Sequence, residues 1–319
     1  MILTPEVITL FVLNGFFLLF ASLAFVIASK VSLFYEKNST TSQQYMLEKQ
    51  SYLAMTVTKY LFAIKIPLFL FFIFSLEKIA LILPGAMCAT GVVNATVYGP
   101  YLLILKLLNL FLFAFWLVIN AKDMKDEHLP YTPFKYKLLL PFFILLLIEI
   151  ILEITMFLSI KIDSIVDCCG VVFSSSDGSY MASLLSSPFR VQASFLILSY
   201  LSLVLSYFRQ DSKLYAIASF LFLSIALITL IGSFGTYIYE LPTHHCPFCL
   251  LAQEYHYIGY LLYTLLFLGT FFGILVSIIE TVRVEKRKYM QISLLFISSY
   301  VFLVCGYVLI YYAKHGVLL

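Results

Sequence analysis

The sequence predicts an all-α polytopic membrane protein, a bundle of about eight transmembrane helices, and three observations carry that prediction. Of 319 residues, 62% are hydrophobic and only 12% charged, and the mean hydropathy is +1.00, well away from the composition of a soluble domain. The apolar residues fall into eight runs long enough to cross a hydrocarbon core. Lys and Arg collect in alternate connections, as cytoplasmic loops require.

The first run, 6–29, has no basic leader ("MILTPEVITLF") and is followed by "SKVSLFYEK" in place of a small-residue cleavage site, so it reads as a retained span and not a secretory signal. Runs follow at 52–76, 101–121 and 138–160, then at 191–207, 214–239, 257–279 and 292–312. An outward amino terminus leaves 13 basic residues inside: Lys30, Lys37, Lys49, Lys122, Lys125, Lys135, Lys137, Arg209, Lys213, Arg283, Lys286, Arg287 and Lys288. Only 4 remain outside: Lys78, Lys161, Arg190 and Lys314. Both termini and the two long loops, 75–100 and 161–190, are then extracytoplasmic, as expected in a bacterial inner (cytoplasmic) membrane. The inner stretches "KDMKDEHLPYTPFKYK" and "ETVRVEKRKYMQ" read as solvated connectors. They account for the net charge of +3, so the lipid bilayer is the expected partner and nucleic acid is not.

A faint internal repeat divides the chain. "PGAMC" precedes the third run as "PTHHC" precedes the seventh, and "YGPYLL" from Tyr98 resembles "YIGYLL" from Tyr257, an offset of 159 residues. Duplication of this kind would give two four-helix halves in one orientation, 1–162 with Cys88 in its outer loop and 163–319 with Cys168, Cys169 and the "CPFC" sequence.

Five of the six cysteines, Cys88, Cys168, Cys169, Cys246 and Cys249, lie in the outer loops, and only Cys305 falls within a span. Cysteine used as a small hydrophobe would scatter through the helices. Clustering on an oxidising face points instead to redox or metal chemistry. If the residues after Pro247 are helical, Cys246 and Cys249 occupy the first turn of the seventh helix, where unpaired N–H groups favour thiolate. His244 and His245 would add to this when protonated. On that helix Cys246, Cys249, Gln253, His256 and Tyr260 share one face, a polar stripe leading from a dithiol into the membrane. The adjacent pair Cys168 and Cys169 would close a strained ring if bonded to each other, so each is expected to pair elsewhere or to ligate an ion.

"CPFC" is similar to the C-P-x-C active sites of thioredoxin-fold oxidoreductases, without any sign of their soluble fold. The placement of the cysteines on four helices resembles the membrane thiol oxidoreductases of the vitamin K epoxide reductase and disulfide bond protein B type. That resemblance covers helices four to seven, about half the chain. It implies that Cys246 and Cys249 pass electrons to a quinone, with Gln253 and His256 as hydrogen-bond partners of the quinone carbonyls. Cys168, Cys169 or Cys88 would relay electrons from a soluble periplasmic thiol protein. The chain departs from that pattern in its adjacent loop cysteines, in Cys88 and in its four further helices. "PTHHCPFCLL" with "CCGVVF" also resembles a group of uncharacterised bacterial integral membrane proteins.

Two other readings use residues in the same sequence. Cys246 and Cys249 with His244 or His245, completed by Cys88 or Cys168, would suit tetrahedral Zn or soft Cu(I). Leu250 after Cys249 excludes c-type haem attachment. Transport would use ionisable groups inside spans: Lys59 and Lys65 in the second, Lys106 and Asn109 in the third, and Glu149 and Glu153 one turn apart in the fourth. Lys106 and Glu153 fall at similar depth and are expected to form a buried pair. Gly232 and Gly235 in the sixth suit close packing or a bend.

Overall fold

The computed structural model describes residues 4–34, 41–125, 131–161, 165–166, 187–242, 244–279 and 286–319. Those residues form an all-α polytopic fold with eight helices of membrane-spanning length and no strand among them. Two compact units divide the chain, Met1–Val166 and Asp167–Leu319.

In the first unit the spans are α1 (Pro5–Phe34), α2 (Ser42–Ala80), α4 (Tyr98–Asp123) and α5 (Thr132–Ser159), with a one-and-a-half-turn α3 (Ala89–Asn94) before α4. α2 begins ten residues before the apolar run that the sequence marks, because Thr41 caps it by accepting from Gln44 N–H at 3.3 Å. α1 lies against α2 and α5, and α4 against α2 and α5. Their shared core is aromatic: Phe62 stacks on Phe113 at 4.3 Å and meets Trp116 edge-on at 5.3 Å. Trp116 is fully buried, and its indole N–H donates to the Lys135 carbonyl at 3.1 Å, the partner a buried indole needs. The opposite faces carry Phe16, Leu19 and Leu23 outward, more than half exposed; such a surface is stable against lipid and not against water.

Part of the connector between α4 and α5, read above as solvated, is buried. Asp123 accepts from Tyr131 N–H at 2.8 Å, from the Thr132 hydroxyl at 2.7 Å and from Lys135 Nζ at 2.5 Å, and neither charge is exposed. Asn120 Oδ1 takes a further Lys135 contact at 3.2 Å. Polar spacing in the sequence gives no hint that these charges face one another, and so the connector looks solvated when read linearly.

The second unit holds α6 (Phe189–Arg209), α7 (Ser212–Thr229), α8 (Gly235–Tyr239), α9 (Ile258–Ile279) and α10 (Lys286–His315). α7 and α8 form one span, Ser212–Tyr239, joined by a π turn over Leu230–Phe234. The irregularity expected at Gly232 and Gly235 is this turn. α9 packs against α7 and α10 so closely that a Cβ on Gly273 would meet Ser219 Oγ at 2.1 Å. Small residues permit such helix contact in a bilayer, where apolar burial alone does not drive association.

Candidate functional site

The segment 240–257 joins α8 to α9 and carries the "CPFC" sequence. α8 stops at Tyr239 because Glu240 is left-handed (φ 55°). Leu241 N–H then turns back to the Thr236 carbonyl at 3.1 Å. Cys246 is buried and Cys249 half-buried, and their sulfurs lie within 4.8 Å of each other.

The expected helical stripe is not formed. Cys246 and Pro247 lie outside any helix, and Cys249–Leu251 and Gln253–Tyr255 are separate 3-10 turns split by an extended Ala252 (ψ 155°). His256 and Tyr257 are both left-handed, with φ of 54° and 57°, and the α-helix starts only at Ile258. Cys246, Cys249, Gln253, His256 and Tyr260 therefore do not share an α-helical face. The first-turn N–H groups of α9 are not those of the cysteines, so the argument that a helix terminus lowers the thiol pKa does not apply. Two consecutive bulky residues at positive φ are costly, about 1–2 kcal/mol each, and are held by the surrounding contacts. One is Tyr257 N–H to the Ala252 carbonyl at 3.3 Å. Another is Gly259, whose absent Cβ would lie 2.8 Å from the Leu250 carbonyl carbon.

Tyrosines frame the dithiol. Tyr239 hydroxyl donates to the Cys246 carbonyl, and Tyr263 hydroxyl to the Pro247 carbonyl at 2.7 Å. The Tyr239 ring meets Tyr255 at 4.7 Å and His244 at 4.6 Å, both edge-on. Burial raises the Tyr255 pKa, with Cys249, Glu254 and Cys246 adding in the same direction, so this phenol keeps its proton beside the two sulfurs. His245 Nδ1 lies 3.2 Å from the Ile231 carbonyl. Ile231 belongs to the π turn. That contact fixes the imidazole one residue from Cys246 with Nε2 as its other nitrogen.

Gln253 and His256 are exposed on the turn beyond the dithiol. Cys88 belongs to the first unit, half-buried at the head of α3, and Cys305 is half-buried within α10. Cys168 and Cys169 lie outside the described residues.

In the first unit Lys106 Nζ lies 2.8 Å from Glu153 Oε2, the pair expected from their depth. The pair belongs to a larger set, since Lys106 also reaches Glu149 Oε1 at 2.9 Å and Lys65 reaches the same oxygen at 3.1 Å. Lys59, in contrast, is exposed.

A scan of family models finds no match to the chain, and searches of curated proteins and of solved structures find none. Eight apolar helices of spanning length and composition identify it as an integral membrane protein.

Proposed function

We propose that the protein is a membrane thiol-disulfide oxidoreductase whose working dithiol is Cys246 and Cys249, on the extracytoplasmic face of a bacterial inner membrane. The observation that supports this most is the pairing of two sulfurs within 4.8 Å, one buried and one half-buried, on a turn outside any α-helix tied down by Tyr239 and Tyr263. Thiol exchange needs an accessible attacking or attacked sulfur and a second thiol held nearby to resolve the mixed disulfide. Cys249 suits the first role by its exposure and Cys246 the second.

The acceptor proposed is a quinone. Two thiols become one S–S bond, and two electrons with two protons pass to the quinone, giving quinol. Gln253 and His256, exposed on the following turn, are the donors proposed for its carbonyls. Electrons would arrive from a periplasmic thiol protein through Cys168, Cys169 or Cys88. Thiol trapping with a mass tag tests the core of this reading. Reduced protein should gain two tags at Cys246 and Cys249, air- or quinone-treated protein none there, and Cys246→Ser should keep one tag at Cys249 under all conditions. Thiols that instead hold stoichiometric Zn or Cu(I), lost in Cys246→Ser, would replace the redox reading with a metal site completed by His244 or His245.

A further inference from the structure

Two pockets of equal size lie among the described residues of the first unit, each about 10 Å³, room for one water-sized molecule. They differ in what borders them. One lies among α1, α2 and α5 on apolar side chains that include Leu139 and Leu146, and its one hydroxyl, Thr58, already donates to the Ala54 carbonyl at 2.8 Å. The other lies between α2 and α4, against α5, and meets Lys65, Lys106, Asn109 and Glu149. Asn109 is 1% exposed, and its Oδ1 has no hydrogen-bond partner among the described residues. Its amide is not reversed, because Nδ2 faces two acceptors, the Glu149 carboxylate at 2.6 Å and the Leu145 carbonyl at 3.5 Å. Each lysine makes two of the three hydrogen bonds that an ammonium can donate. Lys65 donates to Asn14 Oδ1 and Glu149 Oε1, and Lys106 to Glu149 Oε1 and Glu153 Oε2.

We propose that the pocket at Asn109 binds one water molecule, which donates to Asn109 Oδ1 and accepts from Lys65 or Lys106, while the apolar pocket stays dry. The charges on the polar border select a neutral ligand. A cation would meet two ammonium groups. An anion would meet the Glu149 carboxylate and the Asn109 carbonyl oxygen, and the lysine charges are already balanced by Glu149 and Glu153. Asn109 Oδ1 calls for a donor, and the groups with a third N–H to give are the two lysines, so the ligand must both donate and accept. The volume admits one such heavy atom, which selects water. A buried amide oxygen without a donor is costly, and a hydrogen bond from water removes that cost for a small loss of freedom. The apolar pocket offers water no comparable partner. Binding leaves the charges of Lys65, Lys106, Glu149 and Glu153 as they are. This site is independent of the dithiol reading.

X-ray radiolysis footprinting of the full chain in lipid nanodiscs tests it directly, because a bound water yields a hydroxyl radical in place and oxidises the buried side chains around it. Leu110 and Phe113 border the polar pocket, Leu139 and Leu146 the apolar one, and all four are buried. Leu110 and Phe113 should take up oxygen, carried as the heavy isotope when the sample is soaked in heavy-oxygen water, and Leu139 and Leu146 should not. The label at Phe113 should be lost in Asn109→Leu, which removes the acceptor. It should also be lost in Leu68→Phe, which fills the same pocket and leaves the polar groups intact. The contrast within the unmodified protein stands even where a variant fails to fold. No label at Leu110 and Phe113, equal label at all four residues, or a label at Phe113 that survives in either folded variant would overturn the proposal.

Discussion

Glu149 Oε1 is shared by two lysines from different helices, Lys65 of α2 at 3.1 Å and Lys106 of α4 at 2.9 Å, and so α2, α4 and α5 are tied at one point inside the apolar core. Removing one partner strands a buried charge. Lys106→Met leaves Glu153 with no cationic contact among the described residues and should destabilise the protein by about 3–5 kcal/mol, read as a loss of thermal stability and monodispersity in detergent.

Charge exchange should rescue only in part. Lys106→Glu with Glu153→Lys restores the 2.8 Å pair but sets the new carboxylate against Glu149. Thermal stability of the double variant should lie between that of either single variant and the unmodified protein. Full recovery would show that Glu149 is satisfied by Lys65 and Asn109 alone.

At the α4–α5 junction Asp123 carries three contacts with no exposure. Asp123→Ala should cost about 3–5 kcal/mol because Lys135 is left charged and buried. Asp123→Ala with Lys135→Met should recover most of it, measured by the same thermal assay.

A pH effect is expected on the second unit. Glu240 is exposed, and hydrogen bonding from Lys314 at 2.7 and 2.8 Å, aided by charge attraction from Lys314 and His315, holds its carboxyl below the ordinary 4.5. A lowered carboxyl pKa adds stability above the ordinary value that disappears as pH falls through the lowered one. Hydrogen exchange at the end of α10 should therefore quicken relative to Glu240→Gln as the solution is acidified, and less so in high salt, which screens an exposed pair.

Gly259 makes the dithiol turn compact. Gly259→Ala places a Cβ 2.8 Å from backbone at Leu250, which should cost about 1–3 kcal/mol and speed alkylation of the buried Cys246. Unchanged alkylation would show that the turn is held by the tyrosines alone.

The spans were legible because lipid imposes a run length and a charge pattern that local composition records. Lys106 and Glu153 were legible as a pair because each can be counted from its own helix end. Lys65 was not placed with Glu149, since α2 starts at Ser42 and a polar first turn outside the apolar run misplaces depth along the helix. The turn around Cys246 is not legible in the sequence, for a different reason. "LLAQEYHY" contains no Gly or Pro to signal a break, and the extended Ala252 with left-handed His256 and Tyr257 is imposed by tertiary contacts. The one local signal was Gly259, where backbone approaches backbone.

The proposed electron transfer from Cys246 and Cys249 to a quinone is open to direct measurement. Stoichiometric quinone should be added anaerobically to reduced, metal-free protein in nanodiscs, with quinol formation followed by absorbance. The account predicts one quinol per protein, loss of both thiols, and no quinol with Cys249→Ser. Thiols that persist in the presence of excess quinone would contradict it.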